Sequence, residues 1–261
     1  MSTPSTHRRT RFSRMLTLAD MNASSDLSGV RALTFDVFGT AVDWRSGVAA
    51  EAGRIAGSRG VDGDWGRLAD AWRALYMPSM DRVRRGELPW TNFDQLHRTS
   101  LDQVLDDLGI DGFDSADRDE LTLAWERLPG WPDAAPGLTR LAKRFTVSTL
   151  SNGNRSQQTA LVRFAGLPFQ RILSAEDFHH YKPDPEVYLG AASALGLEAG
   201  QVMMVAAHKG DLRAAQAAGL RAAFVERPLE KGPGGGADRL PDAAADVQAH
   251  DFVDLAEKLG C

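Results

Sequence analysis

A chain of 261 residues with 43% hydrophobic and 25% charged residues has the make-up of an ordinary soluble globular protein, with room for one large core or for a core carrying an insertion. Its net charge of −5 argues against a nucleic-acid partner. The single cysteine, Cys261, excludes an intramolecular disulfide and suits a reducing cytoplasm, and no apolar run is long enough to span a bilayer.

Residues 1–28 are rich in Ser, Thr and Arg, with a basic cluster at His7-Arg8-Arg9-Thr10-Arg11. A secretory signal needs roughly 7–15 apolar residues after its basic part. Met15-Leu16-Thr17-Leu18-Ala19 is too short and Asp20 ends it, so a disordered tail is expected, or a true start near Met21. A nucleic-acid-binding arm is the sharper alternative for this tail. Next comes the apolar run Val30-Arg31-Ala32-Leu33-Thr34-Phe35, closed by Asp36 and followed by Val37-Phe38-Gly39-Thr40. This pattern predicts a buried strand over Arg31–Asp36 that carries a carboxylate to its C-terminal tip, the end at which open α/β sheets bind ligands. Taken by itself, Asp36 also fits a plain helix cap.

From Trp44 to Leu128 no good strand is found. Helices are expected over Val48–Arg59, Trp65–Arg85 with a kink at Pro78, Phe93–Leu108 and Ala116–Leu128, broken at Gly60, Gly86 with Pro89, Gly109 and Pro129. A helical insertion directly after the first strand reads as a lid over the strand tip, or as a structural elaboration that never meets a ligand. Strands then alternate with helices. The strands are Phe145–Leu150, Arg171–Ser174, Val202–Ala206 and Ala222–Val225; the helices are Pro136–Arg144, Arg155–Ala165, Pro185–Leu195 and Leu212–Ala218. Gly166, Gly196 and Gly219 stand where helices end. The alternation predicts an α/β fold, a parallel sheet with helices on both faces. The domain division is a tail (1–28), an α/β core (29–43 and 130–261) and a helical cap (44–129). Arg227 to Ala237, with five glycines and prolines in a row at 232–236, reads as a flexible connection.

Four segments at strand ends carry the chemistry. Asp36 and Thr40 form the first. Phe38, two residues after Asp36, is apolar, so the site is built for a carboxylate nucleophile without a second acid or a metal. The second is Ser151-Asn152-Gly153, either a helix cap or a set of hydrogen-bond donors beside a helix start. The third is Tyr181-Lys182-Pro183-Asp184-Pro185, where two prolines stiffen the backbone around an ammonium; Tyr188 faces the same cavity or the core. The fourth is Ala206-Ala207-His208-Lys209-Gly210-Asp211. His208 fits a general base, a ligand or a satisfied structural histidine, with a metal ligand ranked last. One Asp without a neighbouring acid makes a poor Mg²⁺ site.

The ordered set Asp-x-Phe-Gly-Thr, Ser-Asn-Gly, Lys-Pro and a strand-end Asp resembles the haloacid dehalogenase superfamily from about Arg31 onward. FDVFGTAVDW, the helical insertion and YKPDPEVY resemble its type II (S)-2-haloacid dehalogenases most. The resemblance implies a Rossmann-like core with an inserted helical cap, and hydrolysis of small (S)-2-haloacids to 2-hydroxyacids with inversion through an aspartyl ester. It implies no cofactor or metal, and homodimers are common in the resembling group. Asp36 would be the nucleophile; Thr40, Ser151 and Asn152 would orient it and bind the substrate carboxylate. Lys182 would stabilise the Asp36 carboxylate with help from Tyr188, and Asp211 would position the hydrolytic water. Arg73, in Ala71-Trp72-Arg73-Ala74-Leu75-Tyr76, would receive the halide together with Asn152; as a bare lid arginine it would be a surface charge. The family commonly has Ser and Asn where this chain has Ala206 and His208, and a bulky aromatic where it has Gly210. These departures look like a subgroup with members that accept fluorinated acids, and they keep His208 among the catalytic candidates. The rival readings are a metal-dependent phosphatase on the same fold and a non-catalytic protein that binds a small acid.

Overall fold

The architecture was obtained as a computed structural model that describes residues 27–261. The expectation for the tail falls outside the described residues, apart from Leu27 and Ser28. Six parallel strands form one sheet: β1 (Ala32–Phe35), β2 (Thr146–Ser151), β3 (Arg171–Ser174), β4 (Val202–Ala206), β5 (Arg221–Val225) and β6 (Val247–Ala249), in the order β3-β2-β1-β4-β5-β6. All four residues of β1 are buried, which is why this strand reads as an unbroken apolar run and not an alternating one. Phe35 lies opposite Thr149 of β2 and Val205 of β4, so the residues following β1, β2 and β4 emerge side by side. The chain leaves β1 to one side for β2 and β3, then crosses to the other side for β4. The tip of β1 is therefore the switch point at which such sheets hold ligands.

The core helices are α6 (Ala134–Leu141), α7 (Arg155–Phe164), α8 (Pro185–Ala194), α9 (Lys209–Ala217) and α10 (Phe252–Lys258); α1 (Trp44–Arg59), α2 (Trp65–Ala74), α3 (Tyr76–Arg84), α4 (Phe93–Leu108) and α5 (Ser115–Thr122) lie between β1 and β2. The single long helix expected over Trp65–Arg85 is two helices, and the break is at Leu75, not at Pro78. Pro78 sits in the first turn of α3, where a missing N–H costs nothing. The last expected helix of this segment ends early and tightens into a 3-10 turn, Leu123–Glu126. The sheet edge beyond β5 and the C-terminus bring elements absent from the sequence expectation, β6 and α10.

One aromatic cluster joins the helical segment to the tip of β1. Phe38 stacks on Phe93 with ring centroids 5.8 Å apart and meets the edge of Trp125 at 5.3 Å. Trp44, Trp72 and Trp125 are fully buried around it. Polar links continue the seam. The Asn154 side-chain Oδ1 accepts from the Phe93 N–H at 2.9 Å, and the Tyr181 hydroxyl donates to the Thr91 backbone carbonyl at 2.8 Å. Arg84 donates to Asp184 at 2.8 Å.

Candidate active site

Asp36 follows the last residue of β1, its N–H still bonded to the Val205 carbonyl of β4 at 3.0 Å, and the residue is 6% exposed. Its Oδ2 accepts from the Thr40 hydroxyl at 2.7 Å, a contact made possible by the turn at Gly39 (φ 91°). Thr40 in turn accepts from the Ala207 N–H at 2.9 Å, which ties the turn after β1 to the end of β4. Any side chain at Gly39 would run into the Glu230 carboxylate, so this position needs glycine for space as well as for its left-handed backbone.

Lys182 arrives from the loop between β3 and α8, where the Lys182–Pro183 bond is cis and Pro185 opens α8. Its ammonium lies 3.0 Å from Asp36 Oδ1 and 2.6 Å from Asp211 Oδ2. The second oxygen of Asp211 accepts from the Tyr188 hydroxyl at 2.6 Å. Asn152 fixes the backbone of Lys182 from β2: its carbonyl oxygen accepts from the Lys182 N–H at 2.8 Å.

His208, at the end of β4, completes the ring around Asp36. Its Nδ1 is 3.1 Å from Asp36 Oδ2, and its Nε2 is 2.9 Å from Glu230 Oε1. Glu230 is 2% exposed and also accepts from the Trp44 indole N–H at 3.1 Å. Burial pushes the Asp36 carboxyl up, but the Lys182 charge and the bonds from His208 and Thr40 outweigh it and hold the group well below the usual carboxylate range. Burial pulls His208 down, but its two carboxylate partners outweigh that and push it up to about 10. Lys182 is likewise raised against burial, by Asp211 and Asp36. At neutral pH the site thus pairs an aspartate with an ammonium and an imidazolium.

Asp36, Lys182, His208 and Asp211 line a cavity of about 330 Å³ with Asn152, Tyr188, Gly210, Tyr76, Met77 and Arg73. The Arg73 guanidinium lies 3.9 Å from the centre of the Tyr76 ring, a cation–π contact inside the cavity and not a solvated surface position. The structure therefore brings together Asp36, Thr40, Asn152, Lys182, Tyr188, His208, Asp211 and Arg73, eight of the nine residues singled out from the sequence. Ser151, the ninth, is fully buried at the end of β2 and is not part of the cavity wall. Its hydroxyl faces the Gly153 N–H at 3.5 Å, and it does not cap the next helix either, whose N-cap is Asn154. Glu230 went unread because it lies in the segment expected to be a flexible connection. That expectation is corrected here: Arg227 is 5% exposed and bonds the Thr40 carbonyl and Asp133, which pins the segment across the sheet. The only hint in the sequence was His208 itself, a strand-end histidine in need of a partner.

The chemistry this arrangement can do is narrow. One ionised carboxylate faces a small cavity whose wall carries an arginine. Phe38 points into the aromatic cluster, and the Lys182 ammonium occupies the space between Asp36 and Asp211 that a divalent cation would need.

Residues 30–219 match the family model of the haloacid dehalogenase-like hydrolases. The chain is 30% identical over 203 residues to (S)-2-haloacid dehalogenase 1 of Pseudomonas sp. (strain CBS-3), covering 76% of this chain and 85% of that protein. It is 31% identical to the (S)-2-haloacid dehalogenase of Xanthobacter autotrophicus, covering 76% of each. Among solved structures, that of a defluorinating L-2-haloacid dehalogenase superposes with a TM-score of 0.86 at 44% identity, covering 89% of this chain and 96% of that one. Another L-2-haloacid dehalogenase gives a TM-score of 0.84 at 44% identity, covering 88% and 98%.

Proposed function

The chain belongs to the haloacid dehalogenase-like hydrolases, and within that family we propose that it is a metal-independent (S)-2-haloacid dehalogenase. The observation that carries the reading is Asp36 itself: an ionised carboxylate held by Lys182, Thr40 and His208, with Phe38 where a second acid would serve phosphoryl transfer. In this reading the substrate carboxylate is bound beside Asn152 and the start of α7, whose backbone amides favour an anion. Asp36 attacks C2 opposite the carbon–halide bond, the carbon inverts, and an ester forms on the Asp36 carboxyl. The halide leaves toward Arg73, where a partly dry cation is worth far more than one in water. Water then attacks the ester carbonyl carbon, and a 2-hydroxyacid leaves.

Charge balance supports an anionic substrate. Asp36, Asp211 and Glu230 are offset by Lys182, Arg73 and His208, so no surplus of carboxylates around the site repels an anionic substrate. The space of the cavity favours short acids. Fluoroacetate belongs in the same proposal, because one of the two structural relatives at 44% identity is described as defluorinating. The helical segment 44–129 acts as the lid, the single cysteine suits a cytoplasmic location, and a homodimer is the assembly common in the resembling group.

The test is halide release from (S)- and (R)-2-chloropropionate and from fluoroacetate, with and without EDTA. The expected result is release from the (S) acid, (R)-lactate as product, and no effect of chelation. A single turnover in ¹⁸O-water should place label in the Asp36 carboxylate. Activity lost to EDTA and restored by Mg²⁺, with phosphate released from a phosphomonoester, would move the chain to the phosphatases. No product from either substrate class would leave a binding protein.

A further inference from the structure

We propose that His208 is the general base of the hydrolytic half-reaction, taking the proton of the water that attacks the Asp36 ester, and that Glu230 is the residue that positions it. The proposal rests on the dehalogenase reading and assigns a step that the family resemblance leaves to Asp211.

The hydrogen bonds around Asp36 decide between the candidates. Asp211 has both oxygens engaged, one by the Lys182 ammonium and one by the Tyr188 hydroxyl, each at 2.6 Å. With both oxygens engaged in this way, its work is to hold Lys182. Lys182 is a cation and has no lone pair to offer. Thr40 is spent on Asp36 and the Ala207 N–H. Among the described residues that touch Asp36, His208 alone has a ring nitrogen able to take and return a proton, and that nitrogen, Nδ1, faces the carboxyl at 3.1 Å. The other nitrogen faces Glu230 at 2.9 Å, and Trp44 anchors the same Glu230 oxygen. A carboxylate on Nε2–H fixes the neutral ring with its lone pair on Nδ1, toward the reacting carbon.

The state of Asp36 sets the state of His208. Before reaction the ring lies between two carboxylates and is cationic, which helps keep Asp36 ionised. Ester formation cancels the Asp36 charge. The ring then keeps one anionic partner, Glu230, while Lys182 and Arg73 remain as cations around it. Asp211 is matched by Lys182, and the adjoining cavity of about 470 Å³ is lined by Lys231 and by Asp70, which Arg45 holds at 2.7 Å. The proton held against Asp36 is therefore released, through that second cavity, which His208 and Glu230 both line. The balance closes. Dehalogenation by water yields hydroxyacid, halide and one proton, and the proton lost by His208 after halide departure is that one. Neutral His208 then accepts a proton as the water oxygen bonds to the ester carbon. The tetrahedral intermediate collapses with cleavage of the carbon–oxygen bond to the hydroxyacid, whose alkoxide takes the proton of the new carboxyl. Asp36 is again a carboxylate and His208 again an imidazolium.

The experiment is rapid-quench halide release with (S)-2-bromopropionate, combined with intact-protein mass spectrometry, on wild type, His208→Gln and the isosteric Glu230→Gln. Both variants should release about one bromide per active site in the first turnover. Steady turnover should then fall by roughly 10²-fold or more, the usual contribution of a general base, with the propionate ester accumulating on Asp36. In Glu230→Gln the remaining ester hydrolysis should depend on a group that loses its proton at lower pH than in wild type, because an anion beside the ring has gone; a merely structural role would not move that limb. Turnover falling with no accumulated ester, or a first bromide slowed as much as turnover, overturns the assignment. A wild-type protein that releases no bromide overturns instead the dehalogenase reading on which it stands.

Discussion

Replacing Lys182 by Met removes the cation that sits between Asp36 and Asp211. Lys182, Asp36 and Asp211 have side chains only 7%, 8% and 10% exposed, so solvent cannot take over the ammonium's role. Removing one partner of a buried ion pair costs about 3–5 kcal/mol. A chain of this size loses about 2 °C of melting temperature per kcal/mol, so the melting point should drop by ~6–10 °C near pH 8. The pH dependence has a definite sign. In wild type the Asp36 carboxyl is held low, and the stability it contributes is lost only as pH falls below its unfolded value of about 3.9. In the variant, burial and the Asp211 charge raise one carboxyl above that value, so stability is lost as pH rises and regained on acidification. The melting gap between wild type and variant should therefore narrow from pH 8 to pH 5, as followed by differential scanning calorimetry. The double variant Lys182→Met/Asp211→Asn should show a narrower gap at pH 8 already. A gap under about 2 °C, or one independent of pH, would refute the claim that Lys182 holds the two carboxylates together.

Arg73→Ala should lower kcat for halide release on the order of 10²–10³, with the greater loss for fluoride and chloride than for bromide; an equal, few-fold loss for all three halides would place the halide elsewhere. Phe38→Asp puts an unpaired charge into the cluster of Phe93, Trp125 and Tyr76, so thermal melting should show a loss of several kcal/mol, and an assay with Mg²⁺ should find no phosphatase. His97 is 1% exposed among Phe93, Trp72 and Trp125, with neither ring nitrogen bonded among the described residues; burial, and then Arg73, hold it well below its usual value. A histidine lowered in this way costs stability as pH falls below about 6.5, so His97→Phe should gain melting temperature over wild type at pH 5 relative to pH 8, and an offset equal at both pH values would count against a neutral His97.

Much of the core was legible from the residues alone because its signals are local. Parallel strands covered on both faces draw on apolar and β-branched residues, so the first five strands stand out, and each starts and ends within about two residues of its expected position. Strand-end residues inherit their place from the strand, which is why Asp36, Asn152, His208 and Asp211 could be named before their neighbours were known. β6 was missed because three residues, one of them half-buried, leave too short a pattern to detect. α10 was missed because it has seven residues and docks by burying Phe252 and Leu255, a benefit that exists only once α6 is beside it.

Partnership was decided by the tertiary structure. Glu230 stands 22 positions from His208 and 186 from Trp44 in the chain, inside a glycine-rich stretch that nothing local marks as ordered. It becomes a buried carboxylate because Arg227 anchors that stretch to the turn after β1. Arg73 could be read equally as a surface charge until the break at Leu75 turned α3 and laid Tyr76 beneath its guanidinium. Residue type and strand position announce which groups can react. Which of them hold each other's charges depends on the order of strands in the sheet and on the helices folded over its tip, because electrostatic contacts are set by distance in space and not by distance along the chain.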